Sequence, residues 1–195
     1  MRHLFKTDPL ASAYKAILAD DREKLLKHLR KIKPSEIDKP SSDTTPGLVE
    51  ACIIQQRPHL LTLVLEQGAS ATGKTVNGHS FGILSIKQEA SLRLLTALLS
   101  AGNDEDRDQL LAACFEYGQP TQLMLHISLL IQYGAEITEP IAVKALKIGE
   151  RPLIHFLINS GAELPKQVGT GEIDEETLAY ANKCAEDLQI RKMFL

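Results

Sequence analysis

Apolar residues along the chain come in short bursts at helical spacing, and the same small-residue punctuation closes several of them. Four stretches read LVLEQGAS, LLSAGND, LIQYGAE and LINSGAE. Their glycines, Gly68, Gly102, Gly134 and Gly161, lie 34, 32 and 27 residues apart. A glycine behind an apolar helix ends it by taking the left-handed conformation that a Cβ disfavours. Upstream of three of these glycines stands a proline: EACIIQQRP ends at Pro58, AACFEYGQP at Pro120 and KALKIGERP at Pro152. Proline suits the first turn of a helix, where its missing N–H is not needed. The pattern predicts a repeat made of a short helix, a tight turn, a Pro-started second helix and a Gly stop.

With the prolines aligned, Ala51, Ala113 and Ala145 coincide, as do Cys52, Cys114 and Leu146. ILSIKQEASLRLLTALLSAG has the same outline with Ser85 in the small-residue place. YKAILADDREKLLKHLRKIK fits with Ala16 there and Asp20-Asp21 at the turn. Six units result, at roughly 9–33, 46–68, 79–102, 108–134, 140–161 and 174–195, the last a truncated cap. A helical hairpin of this length cannot bury its apolar face alone, so the units are expected to stack as one repeat domain over 1–195. The recurring small residue is then the point where neighbouring first helices approach. The linkers 34–45, 69–78, 103–107, 135–139 and 162–173 are polar and turn-rich, as loops along one edge would be. In the fourth unit Gly134 follows Pro120 by 14 residues, against 10 from Pro58 to Gly68. That predicts about one extra helical turn around LMLHISLL.

Composition agrees with an all-helical reading. Apolar residues make up 44% of the chain and charged residues 24%, enough for a sizeable core. Aromatics are 5% and Trp is absent, so that core is aliphatic, which suits helix-on-helix packing better than a sandwich of sheets. The formal net charge is −3, and the basic cluster from Arg22 to Lys33 alternates with Leu at helical spacing, the pattern of a solvated helix face. No nucleic-acid partner is expected. The absence of a long apolar run argues against membrane insertion, and the N-terminal MRHLFKTDPLAS lacks the apolar centre of a signal peptide. Three sparse cysteines outside any CxxC pair fit a reducing, cytoplasmic setting, with specialised secretion into a host cell as a compatible route.

The second unit, TPGLVEACIIQQRPHLLTLVLEQGAS (Thr45 to Ser70), resembles an ankyrin repeat. Thr45-Pro46 stands for the Thr-Pro that opens the first helix, Ala51-Cys52 for the small pair inside it. Leu63-Val64-Leu65 and Gly68-Ala69 stand for the closing Leu-Leu and Gly-Ala, and Gly134-Ala135 and Gly161-Ala162 repeat that ending. In outline the likeness runs from about residue 9 to 195. The Thr-Pro-Leu-His motif is complete nowhere, and the second unit is two residues longer than the usual pattern between Thr-Pro and Gly-Ala. The resemblance implies an all-α, ankyrin-like helical-hairpin solenoid that binds another protein, without catalysis or cofactor, through loop tips and the concave face made by first helices. Loop positions free for such contacts are Lys74, Asn77, His79, Asp104, Arg107, Glu136 and Thr138. A structural subunit of a larger assembly is an alternative.

One motif points elsewhere. Gly68-Ala-Ser-Ala-Thr-Gly73-Lys74-Thr75 matches G-x-x-x-x-G-K-[ST], in which backbone N–H groups wrap phosphates, Lys adds charge and Thr holds Mg²⁺. A phosphate loop must open a helix, whereas Asn77-Gly78 follows here and signals a turn. Nucleotide binding through Gly73, Lys74 and Thr75 is therefore the alternative reading. Cys52 and Cys114 share an inward repeat position, and Cys184 lies among alanines, the pattern of small core residues. The histidines His3, His28, His59, His79, His126 and His155 show no HExxH and no i, i+4 pair, so no metal site is expected. Asp104-Glu105-Asp106 and Glu172, Asp174, Glu175 and Glu176 lie just before predicted helices, where carboxylates favour the N-terminal dipole.

Overall fold

The apolar bursts are helices in the computed structural model, which describes residues 8–39, 45–75, 77–165 and 173–194. His3 and Glu172, with parts of the linkers 34–45 and 162–173, lie outside the described residues. The chain divides into two compact units, Met1–Asp106 with Tyr117–Gln119, and Arg107–Glu116 with Pro120–Leu195.

The first unit holds three helix pairs: α1 (Pro9–Leu18) with α2 (Arg22–Leu29), α3 (Leu48–Ile54) with α4 (Pro58–Glu66), and α5 (Phe81–Ile86) with α6 (Ser91–Ser100). Their starts are chemically marked. The Asp8 carboxylate accepts from Leu10 N–H at 3.0 Å, Asp21 from Lys24 N–H at 2.9 Å, and the Ser80 hydroxyl from Ile83 N–H at 3.2 Å, each satisfying an orphan donor of the first turn. Pro58 opens α4 as predicted. Thr45-Pro46 stands just ahead of α3, which starts at Leu48 behind an N-cap glycine, Gly47, so the two extra residues are taken up before the helix.

Two kinds of left-handed residue punctuate the repeat. Gly68 and Gly102 take φ of 96° and 84° behind the second helices, and the next N–H reaches back into the last turn (Ala69 to Val64 O, 3.3 Å; Asn103 to Leu98 O, 3.0 Å). Between paired helices, Asp20 and Gln56 adopt φ of 54° and 53°, with Asp21 N–H donating to Ala16 O and Arg57 N–H to Cys52 O, both at 2.9 Å. Both junctions are the same 6→1 closure, used once with glycine and once without. The core is aliphatic, with Ile17, Leu25, Ile53, Leu60, Leu61, Leu94 and Leu98 fully buried. Ala16, Ala51 and Ser85 are buried in α1, α3 and α5, which pack on one another in that order. Small side chains are what let these first helices approach.

The second unit contains α7 (Arg107–Tyr117, whose last residue groups with the first unit), α8 (Leu123–Gln132), α9 (Glu139–Ile148), α10 (Arg151–Asn159) and α11 (Glu175–Met193). Ala113, Cys114, Ala145 and Leu146 are buried at the repeat-equivalent places, and Gly134 and Gly161 close α8 and α10 with φ of 92° and 102°. The extra turn of the fourth unit is not inside LMLHISLL. It is a 3₁₀ turn, Pro120–Gln122, placed before a second helix of ordinary length. The sixth unit is one 19-residue helix in place of a pair. Its Asp174 N-cap accepts from Thr177 N–H at 2.7 Å, and it packs Leu178, Ala181, Cys184 and Leu188 against Leu146, Ile154 and Ile158.

Candidate functional site

The linker between α4 and α5 is a finger rather than a plain loop. Lys74 and Ser80 form an antiparallel bridge, flanked by Thr75 N–H to His79 O (2.8 Å) and Phe81 N–H to Gly73 O (3.0 Å). Asn77-Gly78 makes the turn, with Gly78 at φ 79° and its N–H on Thr75 O at 2.9 Å. The Thr75 hydroxyl accepts from His79 N–H at 3.2 Å. A Cβ on Gly73 would lie 2.5 Å from Cε2 of Phe81, so the glycine is there because the ring crosses the finger's base.

Side chains of neighbouring linkers hold that base. The Asp38 carboxylate accepts from Ser70 N–H (2.9 Å), Asn103 Nδ2 donates to Ala71 O (2.8 Å), and Asp104 N–H donates to the Thr72 hydroxyl (3.0 Å). Asn103 is 1% exposed, and its amide also donates to Glu105 Oε1 at 2.9 Å. That same carboxylate oxygen accepts from Gly82 N–H in the first turn of α5 at 3.0 Å. Glu105 thus caps the helix of the preceding repeat, a role that its place just ahead of α7 does not suggest.

These bonds bear on the phosphate-loop reading. The N–H groups of Gly68, Ala69, Ser70, Thr72 and Thr75 already donate to Leu65 O, Val64 O, Asp38, the Ser70 hydroxyl and His79 O. The next helix opens only at Phe81. Gly73, Lys74 and Thr75 therefore belong to a hairpin, and the geometry does not support a phosphate cradle, which needs successive free N–H groups at a helix start.

The finger brings three of the sequence-selected residues together. Lys74, Asn77 and His79 are all exposed; the Lys74 and Asn77 side chains make no hydrogen bond or ion pair among the described residues, whereas His79 Nε2 lies 3.5 Å from Lys87 Nζ. Asp104 is exposed at the finger's base. Arg107, Glu136 and Thr138 belong to the second unit. Arg107 is half-buried as the first residue of α7, Glu136 donates its N–H to Asp108 Oδ1 at 3.1 Å, and Thr138 stands at the N-cap of α9.

Sequence reasoning missed a second surface in the first unit. Leu18 and Ile54, the last residues of α1 and α3, are exposed. Lys87, behind α5, lies 4.2 Å from the ring centroid of Tyr117, itself exposed. An apolar residue where the periodicity runs out at a helix end was the available signal. A groove of about 770 Å³ also runs between α4 and α6, lined by buried Leu65, half-buried Leu92 and Ala97, and exposed His59, Glu66 and Arg93.

All three cysteines, Cys52, Cys114 and Cys184, are buried free thiols; burial pushes the Cys52 thiol far up and that of Cys114 up to about 12, so neither forms thiolate near neutrality. His126 is fully buried, with Nδ1 3.0 Å from Gln122 O, and its pKa is held below the ordinary imidazole value by desolvation. Among the described residues no three His, Cys, Asp or Glu are grouped to hold a metal ion, and no helix is long and apolar enough to cross a membrane.

This arrangement is that of an ankyrin-like repeat fold, and a solved structure agrees. The chain is similar to the ankyrin repeat domain of Bcl-3, described as a unique member of the IκB protein family, at a TM-score of 0.65 and 17% identity. The likeness covers 87% of this chain and 78% of that one. No family model and no curated protein sequence matches the chain.

Proposed function

We propose that the protein is a non-catalytic recognition module, which binds another protein through its linker tips and the exposed ends of its first helices. The observation that carries this reading is the contrast within the finger at 69–80. Its base is locked by Asp38, Asn103 and Asp104, while the Lys74 and Asn77 side chains are exposed with no hydrogen bond or ion pair among the described residues. A rigid support under exposed polar tips, in a unit that also exposes Leu18, Ile54 and Tyr117, offers the polar rim and apolar anchors that protein interfaces use. The reading extends to Arg107, Glu136 and Thr138 as weaker contributors and treats the whole chain as one recognition domain. The likeness to a Bcl-3 ankyrin domain is compatible with such a module in general.

The test is affinity capture with the wild-type chain as bait, alongside Lys74→Glu/Asn77→Ala/His79→Ala and Ile54→Glu. A protein retained by the wild type and lost from both variants, with circular dichroism unchanged, is the expected result. Retention undiminished in both would remove the finger and the first-helix ends from the binding surface. Mg²⁺-dependent ATP or GTP binding that Lys74→Ala abolishes would replace the reading with the nucleotide alternative.

A further inference from the structure

The groove between α4 and α6 is built from the same positions of two successive repeats. His59 and Arg93 each stand nine residues before the glycine that closes their helix, and Thr62 and Thr96 each stand six before it. Pro58, Thr62, Leu65 and Glu66 of α4 follow helical spacing, as do Leu92, Thr96 and Ser100 of α6, so each helix turns one face to the groove. Its middle offers no free donor from the threonines. The Thr62 hydroxyl donates to Pro58 O at 3.1 Å and the Thr96 hydroxyl to Leu92 O at 2.7 Å, each inside its own helix. The two ends differ in charge. Arg93 lies in the first turn of α6, level in the repeat with His59, whose Nε2 is 3.0 Å from Asp20 Oδ1. Glu66 is the last residue of α4. The Arg93 and Glu66 side chains are exposed and make no hydrogen bond or ion pair among the described residues. The helix dipoles reinforce both ends, positive at the helix starts and negative at their finishes.

These features select the occupant. The backbone of each wall is bonded within its own helix, so an extended segment laid here would turn N–H and C=O groups toward walls that cannot pair them. A helix brings its own backbone bonds. It can approach closely where the facing side chains are short, as Thr62, Thr96 and Ala97 are. We propose that the groove takes an amphipathic helix of a partner protein, with a small apolar face, an acidic residue that meets Arg93 and a basic residue that meets Glu66. Arg93 is the repeat equivalent of His59, which precedes Glu66 by seven residues, so the two partner charges stand about two turns, or about 10 Å, apart. This is the helix-in-groove mode of recognition, with the apolar stripe supplying contact and the end charges fixing register. The inference goes beyond the finger and the first-helix ends, because α4 and α6 supply the walls. Either surface can fail its test without the other.

Selection of a displayed library of helical peptides against the whole chain tests it. The expected binders carry an acidic and a basic residue about two turns apart on a face of small apolar residues. Thr62→Gln/Thr96→Gln removes their binding with the circular dichroism spectrum unchanged, since both positions are exposed. Arg93→Glu weakens them about tenfold, because like charges then face each other. A basic residue in place of the peptide's acidic one restores affinity for that variant. Binders without the charge pair, binders indifferent to Thr62→Gln/Thr96→Gln, or a library that yields none overturn the proposal. Self-association of the chain that Thr62→Gln/Thr96→Gln abolishes, read by sedimentation, gives the groove to a second copy and overturns it equally.

Discussion

In the first unit, adjacent repeats are joined by side chains that reach backbone. Asp38 takes the N–H of Ser70, Asn103 grips Ala71 O, Thr72 receives Asp104 N–H, and Gln56 Oε1 accepts from Ala90 N–H at 3.1 Å. The second unit has a bond of this kind from Asp108 to Glu136 N–H. Most of the remaining polar contacts between α10 and α11 are long-armed and exposed: Arg151 meets Glu176 and lies 5.3 Å from the Tyr180 ring centroid, and Arg191 meets Asn159. The first three loop bonds span a nearly constant 32 residues, the period of the repeats that they connect. In the second unit the Asp108–Glu136 bond spans 28 residues and the Arg151–Glu176 pair 25, while Arg191 to Asn159 keeps the 32-residue spacing. Among these bonds the Asn103 contact to Ala71 O is buried, and a buried bond to backbone holds one geometry, while an exposed ion pair contributes little and yields to salt.

The comparison can be broken at several points. The largest expected effect is in the core that the loop bonds overlie: Leu98→Ala should cost about 2–5 kcal/mol in chemical denaturation, because Leu98 is fully buried. A loss well below that range would mean that the core beneath the loop bonds is not tightly packed around Leu98. Asn103→Ala should cost about 1–3 kcal/mol by leaving Ala71 O unpaired. Arg191→Ala in the second unit should cost much less, and equal losses from the two variants would erase the distinction drawn between the units.

Acid is the next probe. The pKa of His126 is lowered by burial from the usual 6.5, so the unfolded chain takes up its proton first. The stability that goes with a neutral His126 is complete above pH 6.5 and is lost as pH falls from there toward the folded-state value. Thermal melts between about pH 7 and pH 5 should show this loss in the wild type and a flatter profile in His126→Leu; identical profiles would remove His126 as the acid-sensitive point of the second unit. The smallest effect belongs to Lys74→Ala, under about 0.5 kcal/mol, since its side chain is exposed and bonds no other described residue. A larger loss in the melt would show that the finger tip is structural and not free for a partner.

Much of this architecture could be read along the chain. The glycine stops, Pro58 at the start of α4, and the small residues Ala16, Ala51, Ser85, Ala113 and Ala145 are local statements, because helix ends and helix approach restrict which side chains fit. The linker bonds were not readable in this way. Nothing near Glu105 in sequence says that it will cap α5, and nothing near Gly73 says that the Phe81 ring will occupy the place of its Cβ. The phosphate-loop match shows the same limit: a string of residue types cannot say whether its N–H groups are free, and here the hairpin and Asp38 had taken most of them.

What the sequence determined by itself, then, is the repeat, its helices and the inward place of Cys52 and Cys114. Each follows from periodicity and from backbone preferences that act over a few residues. Tertiary structure alone decided which polar side chains are spent on neighbouring repeats and which, such as Lys74 and Asn77, stay exposed. That division depends on distances between residues about thirty positions apart, and such distances exist only once the helices have packed.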